Sequence, residues 1–133
     1  MVRTCLYADC RSEQAFKSKY LRLNASLKWE AFCIETEETV RGFPDVLVVH
    51  KEDRTYTMME FKFTKTGKIK FQPTQPSFYR SHKYMNIWIV AYNAKTKVLH
   101  RFSKDALFSD GVYQLNGKAE VDLSKAEKGR VTE

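Results

Sequence analysis

The sequence predicts an α/β (α+β) fold, a mixed central β-sheet flanked by helices. Two observations predict it. Strand-length runs rich in Val, Ile and aromatic residues alternate with segments of helical periodicity, in the order helix, three strands, helix, strand, strand. The composition, 43% hydrophobic and 14% aromatic with 5 Gly and 3 Pro in 133 residues, is that of a chain able to bury a core and excludes a disordered or fibrous one. That length suits a single domain spanning 1–133.

Ser12 is a helix-capping residue, and Ala15, Phe16, Tyr20 and Leu23 follow at spacings near three and four, so residues 12–24 read as a helix. Trp29, Ala31 and Cys33 alternate with Glu30, Phe32 and Ile34 as a strand does, before the acidic run from Glu35 to Glu38 turns the chain. Gly42-Phe43-Pro44 interrupts regular pairing. Asp45 to His50 and Thr55 to Phe63 flank the polar turn Lys51–Arg54 and read as an antiparallel hairpin. A basic loop follows around Gly67. Thr74 can cap a helix that carries Pro76 in its first turn and continues through Lys83. Ile87–Tyr92 and Val98–Phe102 read as strands, with a short helix near Ser103–Phe108. Apolar content then falls, and residues from about 117 to 133 read as a loose tail.

The net charge of +7 is unevenly placed. From Phe61 to Lys104 there is no Asp or Glu against ten Lys and Arg, while the remaining 89 residues hold 13 basic against 16 acidic side chains. Aromatic residues interleave the basic ones, as in a segment that binds a polyanion. The alternative is a solvated lysine face over an aromatic core. The three cysteines match no zinc spacing with the three scattered histidines, and a reducing compartment suits them. No apolar run is long enough to span a membrane and residues 1–20 lack a signal core, so a soluble protein of the cytoplasm, in a bacterial cell or a phage-infected host, is expected.

Asp45 opens one strand of the expected hairpin, Glu60 lies near the end of the other, and Lys62 shares a face with Glu60. Two carboxylates at adjacent strand ends supply hard oxygen ligands for Mg²⁺ or Mn²⁺, and a neighbouring ammonium can orient water or offset developing phosphate charge. Gln75 and Tyr79 lie one helical turn apart, and Gln75 near a helix start can touch a phosphate. A cap and a core aromatic are the alternative roles for that pair.

Gly42-Phe43-Pro44-Asp45, fourteen residues, then Glu60-Phe61-Lys62 resembles the Pro-Asp…(Asp/Glu)-x-Lys signature of the restriction-endonuclease-like nucleases. The small single-domain plan is similar to their virus-type replication-repair nuclease and Holliday junction resolvase branch. Gln75-Pro76-Ser77-Phe78-Tyr79 has the form of the Gln-x-x-x-Tyr that follows in some relatives. The resemblance, over roughly residues 12–92, implies a restriction-endonuclease-like core and a metal-dependent DNA endonuclease acting on branched DNA as a homodimer. Asp45, Glu60, Lys62 and Gln75 would be catalytic. Asp45, Glu60, the Phe61 carbonyl and Glu13 on the first helix would hold Mg²⁺ or Mn²⁺, with Glu30 and Glu35 as competitors for the place of Glu13. Lys65, Lys68, Lys70, Tyr79, Arg80 and Lys83 would contact DNA. Two rival readings are a non-catalytic nucleic-acid-binding module of this fold in a phage or repair assembly, and a protein-interaction subunit of such an assembly.

Overall fold

The computed structural model describes residues 1–34 and 42–129, and the expected acidic turn at Glu35–Glu38 lies outside them. In chain order the elements are β1 (Val2–Arg3), α1 (Glu13–Asn24), β2 (Trp29–Cys33), β3 (Val46–His50), β4 (Thr55–Thr64), β5 (Lys68–Lys70), α2 (Thr74–Ser81), β6 (Ile87–Asn93), β7 (Val98–Ser103), a 3₁₀ turn (Lys104–Phe108), β8 (Glu120–Asp122) and α3 (Leu123–Glu127). Six strands form one mixed sheet in the order β1-β7-β6-β4-β3-β2, and β5 with β8 forms a small second sheet.

Local chemistry accounts for these elements. The Ser12 side chain accepts from the Ala15 amide and starts α1, and Asn24 closes it by donating to the Tyr20 carbonyl. β2, β3 and β4 run as an antiparallel meander, whereas β4 and β6 are parallel, which requires a crossover that α2 provides. β6 lies inside the sheet, so from Ile89 to Tyr92 both its faces are buried and its sequence is apolar, with Trp88 exposed at its start. Its even residues Val90 and Tyr92 join Phe16 and Tyr20 of α1, Phe61 and Val48 in one cluster. Its odd residues Ile87, Ile89 and Ala91 pack with Phe78, Tyr79, Phe71 and Phe102 on the α2 side.

Three expectations are corrected. The basic loop after Thr64 folds back as β5, because the Thr64 hydroxyl accepts from the Thr66 and Gly67 amides and Gly67 takes φ +94°. α2 is not capped by the Thr74 side chain; it begins after Pro73 and ends at Ser81, where the His82 amide and ring both meet the Phe78 carbonyl. The region from 117 is no loose tail as far as residue 129. Lys68 stands opposite Asp122 and Lys70 opposite Glu120, and Val121, Leu123 and Ala126 are buried. Too short to show periodicity, this segment is held by non-local contacts. In α3, Glu127 accepts from the Asn93 amide at 3.0 Å and meets His100 Nε2 at 2.7 Å, while His100 Nδ1 meets the Tyr113 hydroxyl at 2.9 Å. Burial holds the His100 pKa below its ordinary value despite Glu127.

Leu123→Ala removes a side chain with no exposed surface and should cost about 2–4 kcal/mol of unfolding free energy by urea denaturation. A loose tail would tolerate the change without measurable loss.

Candidate active site

β3 and β4 pair with Val46 opposite Met59, and one further step of that register sets Asp45 opposite Glu60. Opposed residues of an antiparallel pair share a face, and Lys62, two residues on, shares it too. β3 begins at Val46 while β4 runs on to Thr64, so β4 outruns its neighbour and leaves a notch in the sheet beside these three residues. The face is the one covered by α2. The Lys62 ammonium donates to Gln75 Oε1 at 3.1 Å, stands 3.9 Å from Glu60 Oε2 and lies 4.7 Å from the Phe71 ring centroid.

Gln75 does not cap α2, whose start has no side-chain cap. The oxygen that receives Lys62 also accepts from the Gln72 amide at 2.9 Å, so the residue ties the chain entering α2 to the ammonium. Gly42, at φ +89°, lets the chain pass the helix start: a Cβ there would run into the Thr74 carbonyl and the Phe78 side chain.

Lys17 completes the cluster, and sequence reasoning missed it. Its ammonium is 3.3 Å from Asp45 Oδ2, an ion pair spanning 28 positions. The available signal was the four-residue spacing from Glu13, which puts both on one face of α1. The other oxygen, Asp45 Oδ1, is buried with no hydrogen-bond partner. Burial first, and the Asp45 carboxylate second, push Glu60 up to about 7 against the pull of Lys62 and Gln75. Glu13 is exposed at the start of α1, yet the crowding around its carboxyl and the charge of Asp45 raise its pKa against Lys62 and Lys17. An unpartnered carboxylate oxygen beside a carboxyl that resists ionisation fits a hard divalent cation, since Asp45 and Glu60 are oxygen donors. Among the described residues no three Asp, Glu, His or Cys side chains converge as a ligand group, although the charges of Glu13, Asp45 and Glu60 act on one another. The Phe61 side chain is fully buried against Phe16 and Tyr20, which leaves its main-chain carbonyl for any ligand role.

The residues expected to contact DNA divide. Lys65, Lys68, Lys70, Arg80 and Lys83 are exposed. Lys68 and Lys70, however, face Asp122 and Glu120 across β5 and β8, so acids from outside the acid-free stretch offset them. Tyr79 is corrected: it is 1% exposed, packed edge-on to Phe71 at 6.2 Å, and cannot stack on a base. Its hydroxyl is buried without a partner, and burial, Glu60 and Asp45 raise its pKa. Most aromatics of the basic stretch are core in the same way, and Lys104 is buried with its ammonium 2.9 Å from Asp105 and 3.3 Å from the Lys83 carbonyl. Among the described residues no helix is long and apolar enough to cross a membrane.

No family model and no curated protein matches the chain. Among solved structures it is similar to Archaeoglobus fulgidus Hjc, a Holliday junction resolvase from an archaeal hyperthermophile, with a TM-score of 0.60 over 86% of this chain and 92% of that one at 15% identity. The chain thus shares the fold of that resolvase, a mixed sheet flanked by helices as the sequence led one to expect.

Glu60 also sets a pH dependence. Its folded pKa lies above its unfolded one, so the folded state holds the proton more tightly. In EDTA the contribution of Glu60 to stability should therefore be greatest below pH 4.5, fall by about 3 kcal/mol as pH rises through 7, and level off above. Thermal melts of Glu60→Gln should lose that slope.

Proposed function

We propose that the chain is a metal-dependent endonuclease that hydrolyses phosphodiester bonds in branched DNA, with DNA cut by a homodimer. The register that sets Asp45 opposite Glu60, with Lys62 beside them, carries the reading. The likeness in fold to a Holliday junction resolvase supports nuclease action on DNA at a coarse level.

In this mechanism Asp45 Oδ1 and the Glu60 carboxylate would hold Mg²⁺ or Mn²⁺, with the Phe61 carbonyl beside them. The bound cation would supply Lewis-acid polarisation of the scissile phosphate and a lowered pKa for the attacking water. Every other part is the protein's. Lys17 pairs with Oδ2 of Asp45 and holds the side chain so that Oδ1 stays available. Glu60 loses its proton near neutral pH as its site becomes competent. Lys62, aligned by Gln75, holds the water or a non-bridging phosphate oxygen and meets negative charge as it develops. Phe71 beneath the ammonium shields it from bulk water and so strengthens its field. A homodimer follows from the substrate, because a four-way junction is resolved by two symmetric cuts and one small domain offers a single notch.

Incubation with linear, flapped and four-way DNA should give cleavage in Mg²⁺ or Mn²⁺ and none in EDTA. Asp45→Asn, Glu60→Gln and Lys62→Ala should each lower the rate by at least about a hundredfold in protein that melts cooperatively. Binding without cleavage in every metal would instead favour the non-catalytic module, and no affinity for any DNA the protein-interaction subunit.

Affinity should fall with salt. Lys65→Ala with Lys83→Ala should flatten the slope of log K against log[salt] by about two units, whereas Lys68→Ala with Lys70→Ala, opposed by Asp122 and Glu120, should change it less.

A further inference from the structure

The side of α2 turned away from Lys62 carries a second constellation. Pro73, Pro76 and Arg80 face the 3₁₀ turn and the loop that precedes β8. The Arg80 guanidinium lies over the Phe108 ring, 4.7 Å from its centroid. On one side of this stack is a cleft of about 570 Å³ with Pro73, Pro76, Leu107 and Leu115 as an apolar floor and Gln114 and Asn116 on its rim. On the other is a cleft of about 670 Å³ rimmed by Lys83 and Asp105. The Asn116 side-chain oxygen is already taken by the Lys118 and Glu120 amides, so its NH₂ donors are what it offers a ligand. The cleft and the notch share α2: Pro76, which lines the cleft, is the sequence neighbour of Gln75, whose side chain meets Lys62.

We propose that the Arg80–Phe108 stack is a docking platform for an unpaired base, holding a single-stranded arm of the substrate beside the cleavage notch. The proposal rests on the nuclease reading and goes beyond it: the arms of a four-way junction are paired, so the platform selects branched DNA that carries an unpaired flap. A guanidinium plane backed by an aromatic ring is a surface on which unpaired bases stack whatever their identity, and Lys83 and Arg80 neutralise the phosphates on either side. Paired bases expose no face to stack, so a duplex gains only the charge. The apolar floor favours a base over a peptide carboxylate, which such a floor would desolvate without a hydrogen bond.

The test is equilibrium binding in EDTA, which separates binding from cleavage, using a duplex with and without an unpaired arm that carries 2-aminopurine. Wild-type protein should quench the 2-aminopurine and prefer the armed duplex by about tenfold. Arg80→Lys keeps the charge and loses the plane, and Phe108→Leu keeps the volume and loses the ring. Each should abolish the quenching and most of the preference. Unchanged preference and quenching in Arg80→Lys overturns the platform, whatever Phe108→Leu does to folding. Wild-type cleavage of DNA without any preference for the arm overturns it alone. Absence of all DNA binding overturns the nuclease reading with it.

Discussion

The antiparallel register of β3 against β4 is the constraint on which the site depends. Side chains in a strand alternate between faces, so a slip of one residue in that pairing would turn Asp45 away from Glu60 and send Leu47 and Met58 to the wrong side of the sheet. The register is held by burial. Val46 and Val48 are shut against α1, Met58 against the α2 side, and no shifted pairing buries all of them. A hydrophobic pattern thus fixes the separation of two carboxylates that gain nothing from it themselves.

Those carboxylates carry a cost. Asp45 and Glu60 repel each other in a notch that excludes water from Glu60, and the structure relieves this with two lysines from different elements. Lys17 takes one oxygen of Asp45. Lys62 approaches Glu60 but donates to Gln75, so its ammonium is oriented without being fully neutralised. Such half-compensated charge is expensive for folding and useful for chemistry, since a cation and a phosphate can supply what the protein withholds.

Much of this was legible in the residues. The hairpin could be read because two β-prone runs flank the polar turn Lys51–Arg54, and Ser12 marked the start of α1. Asp45, Glu60 and Lys62 could be read because charges in apolar strands are costly and so conspicuous. Lys17 was missed because its partner lies 28 positions away: the spacing from Glu13 sets it on one face of α1 but does not say what that face meets. β5 and β8 were hidden as well: each is three residues long, too short for periodicity, and their pairing is between distant segments. The acid-free stretch overstated the positive face for that reason, because charge read along a chain ignores what a partner strand lays opposite. The interleaved aromatics of that stretch turned out to be core, with Tyr84 and Trp88 as exceptions.

The pairing of β5 with β8 has a consequence in time. The Phe71 amide donates to the Ala119 carbonyl, and Phe71 is the ring beneath the Lys62 ammonium. Glu127 then locks α3 to Asn93 and His100. While the chain is being synthesised, Asp45, Glu60 and Lys62 emerge together early, but the floor of their notch is not pinned until residues some fifty positions later have left the ribosome. A site assembled in that order stays slack on the nascent chain, and it tightens only when β8 has emerged to pair with β5.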